Sequence, residues 1–269
     1  MTAMNAATAA RLLALNNDFY ERFGASFSAT RQRLQPGVQR ILATLNGDES
    51  ILDLGCGNGE MARALAAGGQ RGPYLGLDFS LALLREAESR PEQNFAKFLQ
   101  VDITTDDWDS VIASDRRERS NLPESRGSLR RGAASATPRN DGFDIIFCFA
   151  VLHHIPGNEL RVKILKKVYE MLAKDGRFIL SNWQFLNSAR LKARIQPWSA
   201  AGLSEADVDE GDYLLDWRDG GQGLRYVHQF SAEELSGLAG QAGLRVSESF
   251  LSDGKGRNLG LYQVWEKVE

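Results

Sequence analysis

The sequence predicts an α/β fold with a mostly parallel, seven-stranded sheet and helices on both of its faces. N-terminal helices precede this sheet, and a cap insertion interrupts it. Two observations support the prediction. Apolar runs typical of buried strands alternate with helical segments from residue 50 to residue 183, as they do in parallel sheets covered on both faces. The chain has 269 residues, of which 43% are hydrophobic, and this is enough for a core of that size.

Two helices are predicted ahead of the sheet. Leu12, Leu15, Phe19 and Phe23 recur at the spacing of one helix face, which predicts an amphipathic N-terminal helix. A second helix is predicted to begin near Pro36, because proline is tolerated in the first turn of a helix.

The strands and helices of the sheet follow in order from residue 50. Apolar runs such as ILDL are typical of buried strands, and the segments between them have helical spacing. Ser80 is placed to cap one of these helices. The predicted strands are 50–54, 73–78, 96–102, 143–150, 177–183, 244–252 and 259–267, and the predicted helices are 59–68, 80–89, 158–176 and 231–243.

Two segments interrupt the alternation. Residues 114–141 are rich in Arg, Ser, Gly and Pro, which predicts a flexible surface insertion. Because its arginines outnumber its acids, a contact with nucleic acid is the alternative to a solvated linker. Residues 183–230 are aromatic-rich and predict a cap over a site. The predicted division is 1–48 (N-terminal helices), 49–182 (core with its insertion), 183–230 (cap) and 231–269 (C-terminal helix and strands).

The overall composition excludes several classes of protein. The net charge is -3, so charge alone does not indicate a nucleic-acid or membrane binder. Only two cysteines, Cys56 and Cys148, are present, so neither a disulfide framework nor a cysteine-rich zinc site is available, and no metal site is predicted. The chain has no run of about twenty apolar residues. We expect a soluble, cytoplasmic protein with no membrane contact.

The stretch ILDLGCGNGE (51–60) places an acid and a glycine-rich turn at the end of a predicted strand. Gly55 and Gly57 allow a ligand to approach the backbone, although a purely structural turn is the alternative. Asp78 and Asp102 end the next two predicted strands. Since ligands of α/β sheets bind beyond the carboxyl ends of the strands, we expect these acids to lie near one site.

With these residues the chain resembles the class I S-adenosylmethionine-dependent methyltransferases, which have a Rossmann-like fold. The resemblance covers residues 50 to about 182 and the last two strands. In DLGCGNG an acid, Asp53, precedes the first glycine, unlike in the dinucleotide-binding pattern GxGxxG. A pyrophosphate gains nothing from this carboxylate, whereas the cationic amine and sulfonium of S-adenosylmethionine are well served by it.

The resemblance implies a set of cofactor-binding residues for S-adenosylmethionine and its product, S-adenosylhomocysteine. Asp53, Gly55 and Gly57 would hold the methionine portion, Asp78 the ribose, and Asp102 the adenine. The full predicted set is Asp53, Gly55, Cys56, Gly57, Asp78, Phe79, Asp102, Ile103, Phe149 and Ala150. Within it Cys56 is interpreted as a small residue filling the turn, because no adjacent basic group would activate its thiol.

A narrower resemblance links the chain to the methyltransferases that esterify carboxymethyluridine at the tRNA wobble position. It rests on three blocks of residues, and Gln35 departs from it where the family has an aromatic residue. The blocks are Phe27, Ser28, Thr30 and Arg31; His153, His154 and Arg161; and Arg225, Tyr226, His228 and Phe230.

The acceptor that this resemblance implies is a carboxylate, which is already anionic near neutral pH and needs no general base. Arginine matches a carboxylate bidentately, so Arg31 and Arg225 are candidates for a clamp. His153, or its neighbour His154, is a candidate for contact with the acceptor. These three, Arg31, His153 and Arg225, form the predicted catalytic set, and each also has a purely structural interpretation. Tyr226 or Trp217 is predicted to stack on a base.

Three functions remain open from the sequence. The first is methyl-ester formation on a tRNA wobble uridine, which in the resembled family commonly involves a small activating partner protein. The second is O-methylation of a small-molecule carboxylate or hydroxyl. The third is a non-catalytic, methyltransferase-like partner subunit, against which the intact set of acids and glycines argues.

Overall fold

The computed structural model describes residues 4–29, 33–89, 95–105, 107–120, 142–218 and 220–268. Strands and helices alternate through most of this range. The helices and strands, in chain order, are α1 (Ala6–Ala29), α2 (Pro36–Leu42), β1 (Ile51–Leu54), α3 (Glu60–Ala67), β2 (Tyr74–Asp78), α4 (Leu81–Glu88), β3 (Ala96–Gln100), α5 (Trp108–Ser120), β4 (Phe143–Phe149), α6 (Asn158–Met171), β5 (Leu172–Trp183), α7 (Ala189–Lys192), β6 (Ile195–Gln196), β7 (Asp212–Trp217), β8 (Gly223–His228), α8 (Ala232–Gln241), β9 (Leu244–Ser252) and β10 (Gly260–Lys267).

Seven of the strands form one sheet in the order β3-β2-β1-β4-β5-β10-β9. The first five strands of this order are parallel, whereas β10 runs antiparallel to both β5 and β9. The predicted α/β fold with a mostly parallel seven-stranded sheet is therefore confirmed. Strand order reverses between β1 and β4, and in such sheets a reversal marks the place where a ligand binds.

Both faces of the sheet are buried, as its apolar strands predict. On one face Leu52, Ile146 and Phe178 pack with residues of α5, α6 and α8. On the other face Ile51 and Ile145 pack with residues of α2, α3 and α4. Helices thus cover the sheet from both sides, and its carboxyl edge is left for the loops that follow the strands.

The segment between β5 and α8 forms a second, smaller sheet of three antiparallel strands, β6-β7-β8. α1 packs against this sheet through Leu12, which is fully buried with Trp198, Leu214 and Tyr226. None of the helices in the described ranges has both the length and the apolar character needed to cross a bilayer. The predicted domain boundaries remain predictions.

Two predicted boundaries are wrong. The helix predicted over 158–176 ends at Met171, because Leu172 takes an extended backbone and begins β5 beside Phe143. The insertion predicted over 114–141 starts too early, because α5 continues to Ser120. α5 is anchored by Trp108 and Ile112, both buried in the core. The remainder of that insertion, 121–141, lies outside the described residues.

Candidate functional site

A cavity of about 570 Å³ opens at the carboxyl edge of the seven-stranded sheet. It is lined by residues at or just beyond the ends of β1, β2, β3, β4 and β5, and by residues of α1 and β10. All ten predicted cofactor-binding residues line it, so the structure brings the predicted set together at the strand-order reversal. Their individual roles in binding remain predictions.

The glycine turn after β1 presents bare backbone to this cavity. Gly57 has a φ of 55°, and a Cβ built on it would meet no atom within 4 Å, so its open side is available to a ligand. Gly55 has a different role, because a Cβ there would lie 2.3 Å from Cγ2 of Val151. Gly55 therefore allows the loop after β4 to pack closely, while Gly57 leaves space beside the strand ends.

Asp53 and Asp78 place two buried carboxyl groups beside the turn. Asp53 is 3% exposed, and its Oδ2 accepts a hydrogen bond of 2.5 Å from the hydroxyl of Tyr74. Burial raises the pKa of Asp53 to about 7, and the nearby charge of Asp78 contributes to the rise. Burial also raises the pKa of Asp78, although its oxygens accept hydrogen bonds from the backbone N–H groups of Gly57 and Ser80, both at 2.9 Å.

None of the ion pairs among the described residues involves Asp53 or Asp78. A buried carboxylate without a cationic partner is costly, and a cationic ligand would offset that cost. The thiol of Cys56 lies beside the same acids, and burial raises its pKa well above the usual range. Cys56 is therefore a neutral thiol in the turn, which agrees with its interpretation as a filling residue.

The loops after β3 and β4 complete this half of the cavity. Asp102 organises the turn after β3, where its Oδ1 accepts a hydrogen bond of 2.9 Å from the backbone N–H of Thr104. Ala150 follows β4 with a φ of 58°, a conformation that costs non-glycine residues about 1–2 kcal/mol. Its N–H donates to the carbonyl of Ser181 at 2.9 Å. Strained backbone at a cavity is a common feature of functional sites.

The other half of the cavity is lined by α1 and by the ends of β5 and β10. His154 joins α1 to β8: its Nδ1 is 3.1 Å from the carbonyl oxygen of Tyr226, and its Nε2 is 2.9 Å from the hydroxyl of Tyr20. A carbonyl oxygen only accepts, so Nδ1 carries the proton, and in the neutral ring Nε2 accepts from Tyr20. His154 thus holds Tyr20 at the cavity wall.

Two of the three predicted catalytic residues, His153 and Arg225, lie outside the lining of the cavity. His153 is 2% exposed and does not line the cavity; its Nδ1 accepts a hydrogen bond of 3.4 Å from the backbone N–H of Trp183. The next residue in the short turn after β4, His154, lines the cavity instead of His153. The third residue, Arg31, lies outside the described residues, as does Thr30 of the same predicted block.

Arg225 is buried among aromatic rings and does not line the cavity. Its guanidinium carbon lies 4.8 Å from the ring centroid of Trp183, 5.5 Å from Phe19 and 5.7 Å from Trp217. Trp183 does line the cavity, so Arg225 supports the wall without contacting its content. In this arrangement Arg225 does not reach the cavity, and its role as a direct carboxylate clamp stays a prediction.

Tyr226, Trp217 and His228 are also unavailable to an RNA base. Tyr226 is fully buried, and its hydroxyl lies 2.9 Å from Arg161 and 2.6 Å from Asp212. Trp217 packs on Phe19, and His228 is buried between Asp212 and Glu234. Tyr226 and His228, which belong to the resembled pattern, hold the small sheet in place, because a buried hydrogen-bond network fixes the elements that contribute to it.

Sequence reasoning missed several residues that line the cavity. Arg33 and Arg190 are exposed arginines in its lining, Tyr20 comes from α1, and Asn182 is the second-last residue of β5. The basic run 190–194 was a signal for Arg190. No sequence feature indicated the other three residues. Helical spacing does not show that Tyr20 faces a cavity, and no motif contains Asn182.

Comparison with known proteins identifies relatives over most of the chain. A family model described as a methyltransferase domain matches residues 27–249. A protein of Encephalitozoon cuniculi named as a methyltransferase is 28% identical over 230 residues, which are 85% of this chain and 86% of that protein. A Xenopus tropicalis protein named tRNA (carboxymethyluridine(34)-5-O)-methyltransferase is 24% identical over 164 residues, which are 61% of this chain but 20% of that protein.

Among solved structures, a methyltransferase of Burkholderia thailandensis has a similar fold. It is a 1,6-didemethyltoxoflavin N1-methyltransferase, crystallised with 1,6-didemethyltoxoflavin and S-adenosylhomocysteine. The two chains are 16% identical with a TM-score of 0.58, and the match covers 100% of this chain and 93% of the other. At this identity the similarity establishes a shared fold.

Proposed function

Since the chain belongs to the methyltransferase domain family, we propose that it forms a methyl ester on the carboxylate of carboxymethyluridine in tRNA. The chain is an S-adenosylmethionine-dependent methyltransferase; the acceptor is the proposed part. A small activating partner protein, which the resemblance implies, belongs to the same proposal. The Xenopus relative supports the acceptor through its name, although this chain spans 20% of its length.

The observation that supports the donor part of the proposal is the pair of buried acids beside the open turn. Asp53 and Asp78 have no cationic partner among the described residues, and Gly57 leaves free space next to them. A ligand with an ammonium group, a sulfonium and ribose hydroxyls would satisfy both acids. A dinucleotide would instead bring a pyrophosphate against them, which like charges disfavour.

S-adenosylmethionine, when bound, supplies a methyl group on a positively charged sulfur, and transfer to a carboxylate oxygen forms a C–O bond as the C–S bond breaks. The residues of the chain bind the donor and the acceptor and orient them. Asp53 pairs with the ammonium, Asp78 accepts from the ribose, and Asp102 accepts from the adenine amine. Since an ionised carboxylate needs no base, the protein's contribution is to place the acceptor in line and to remove water.

The acceptor carboxylate needs a cationic partner in the other half of the cavity. Arg33 and Arg190 line the cavity and are exposed, so their guanidinium groups can reach a ligand at its opening. Arg31, two residues from Arg33, stays part of this proposal. Arg225 acts as a positioning residue by supporting Trp183.

The same site fits a second function, O-methylation of a small carboxylate or hydroxyl. The charge balance favours it: 35 acidic residues against 32 Lys and Arg is unusual for a protein that binds tRNA through its phosphates. The acceptor, not the donor, distinguishes the two functions. A non-catalytic subunit that binds no donor would leave the buried Asp53 and Asp78 without a cationic ligand.

The test is transfer of a radiolabelled methyl group to two acceptors: an anticodon stem-loop RNA bearing 5-carboxymethyluridine, and a metabolite extract. We expect label on the RNA that is released by mild alkali, because esters are hydrolysed there. Asp53→Asn should reduce transfer at least tenfold, whereas Asp109→Asn, a substitution on α5 away from the cavity, should not. Label on the metabolites alone would replace the RNA proposal with the small-molecule one, and no label with either acceptor would contradict both.

A further inference from the structure

Asn182 is a buried polar residue at the end of an apolar strand. It follows Phe178, Ile179 and Leu180, which are fully buried, and it is itself 1% exposed. Asparagine is depleted in strand interiors because its amide competes with the backbone for hydrogen bonds. Its position, the second-last residue of β5, lies in the lining of the cavity described above.

Both polar atoms of the Asn182 amide, Nδ2 and Oδ1, are buried without a hydrogen-bond partner among the described residues. Gln70 and Asp216 also leave one side-chain atom each in this condition, but their other atom is bonded. A buried amide that satisfies neither its donor nor its acceptor is rare in folded proteins, and each case requires a physical reason.

A neighbouring residue shows what a structural amide does in the same part of the fold. Gln184 is 8% exposed, its Nε2 donates to the carbonyl of Phe230 at 3.0 Å, and its Oε1 accepts from Gln229 at 2.6 Å. Gln184 does not line the cavity. The two amides differ therefore in both respects: the one with partners stabilises the fold, and the one without partners is at the cavity.

We propose that Asn182 is a specificity-determining residue whose amide recognises the acceptor through one donated and one accepted hydrogen bond. The inference rests on the proposed function and deepens it. A carboxamide offers N–H and C=O side by side, and the imide edge of a uracil ring offers the complementary pair, N3–H beside a carbonyl oxygen. A small molecule with an amide or imide edge has the same chemistry.

A site built in this way rejects acceptors that lack the complementary edge. An acceptor without it would bury the Asn182 amide unsatisfied, and enzymes that hydrogen-bond their substrates discriminate strongly against such analogues. Asn182 also makes the folded protein less stable than a leucine would, because a leucine of similar size would bury no polar atom.

The test compares Asn182→Leu with the matched control Gln184→Leu. We expect Asn182→Leu to leave the melting temperature unchanged or higher and the S-adenosylhomocysteine affinity unchanged, while KM for the stem-loop RNA bearing 5-carboxymethyluridine rises about tenfold. Gln184→Leu should lower the melting temperature, because it leaves the partners of Gln184 unsatisfied. An RNA bearing 3-methyl-5-carboxymethyluridine, which lacks the imide proton, should have a raised KM with the wild type but little further change with Asn182→Leu.

The outcomes separate this inference from the proposed function. A wild type that methylates neither the RNA nor free 5-carboxymethyluridine contradicts the proposed function and the uracil assignment together. An active wild type with an unchanged KM in Asn182→Leu contradicts the inference alone, as does a melting temperature that falls as far as in Gln184→Leu, since Asn182 would then be structural. If the KM for free 5-carboxymethyluridine rises in Asn182→Leu and the RNA is not methylated, the amide of Asn182 recognises a small molecule instead.

Discussion

Asp53 is a carboxyl group whose ionisation is opposed by the fold. It is buried, it lies near a second acid, and its pKa of about 7 means that both protonation states are populated near neutral pH. The hydroxyl of Tyr74 lowers the pKa but does not restore its ordinary value. A ligand that brings an ammonium group favours the ionised form, so binding and deprotonation of Asp53 are linked.

The affinity for S-adenosylhomocysteine should therefore depend on pH. Below about pH 7 Asp53 is mostly protonated and must lose its proton before it can pair with the ammonium, so binding weakens as pH falls. With a pKa of about 7 the affinity at pH 8 should exceed that at pH 6 roughly tenfold. Calorimetry at the two pH values measures this, and in Asp53→Asn the ratio should approach one. An equal affinity of the wild type at both values would show that Asp53 does not pair with the ligand.

The sequence predicted, residue by residue, the lining of the cavity at the ends of β1 to β4, but not the lining that α1, β5 and β10 contribute. Asp53, Asp78 and Gly57 belong to motifs at strand ends, and strand ends of a parallel sheet meet at one edge. The choice between His153 and His154 depends on the local turn after β4, which no pattern specifies. The role proposed for Asn182 rests on the lack of hydrogen-bond partners for its amide among the described residues, which no sequence pattern reveals.

At the scale of secondary-structure elements, Arg161 connects α6 to the small sheet and to α8. Its Nε donates to the carbonyl of Ile155 at 2.8 Å, and its Nη2 lies 3.7 Å from Asp212 of β7. Its Nη1 lies 3.7 Å from Glu234 of α8. Because Ile155 follows His154, this buried network also fixes the turn that contributes His154 to the cavity.

Breaking this network should cost much more stability than breaking the ion pair between Asp216, near the end of the same strand, and the exposed Arg218. Asp212 accepts from Tyr226 and His228, both at 2.6 Å, and Asp212→Ala would leave Arg161 buried without that carboxylate. We expect the free energy of unfolding to fall by about 3–5 kcal/mol. Asp216→Ala, which removes a pair with the exposed Arg218, should cost at most about 1 kcal/mol.

Urea unfolding followed by circular dichroism measures both variants. Similar losses in Asp212→Ala and Asp216→Ala would mean that the buried network is not what joins α6 to the small sheet. A decrease in the acceptor affinity of Asp212→Ala, with the donor affinity unchanged, would further show that the network positions the turn at His154.

In the whole molecule the cavity is assembled from residues far apart in the sequence. Tyr20 of α1 is at one end of the chain and Tyr262 of β10 at the other, and both line it. The alternation of strands and helices predicted the seven-stranded sheet, because each apolar run is long enough to identify a buried strand. It did not predict that α1 would pack on the small sheet and reach the cavity, since that depends on tertiary packing between segments about 200 residues apart.

Because distant segments share the cavity, donor binding should stabilise the whole fold. A ligand that binds only the folded state contributes about 2.7 kcal/mol at 100 times its Kd. For a chain of this size that corresponds to a rise in melting temperature of roughly 5–11 °C. Differential scanning fluorimetry with S-adenosylhomocysteine at pH 8 should show it, and Asp53→Asn at the same ligand concentration should show less, while Asp109→Asn should match the wild type. A wild type stabilised by NAD but not by S-adenosylhomocysteine would mean that the acids at the strand ends do not select a cationic ligand.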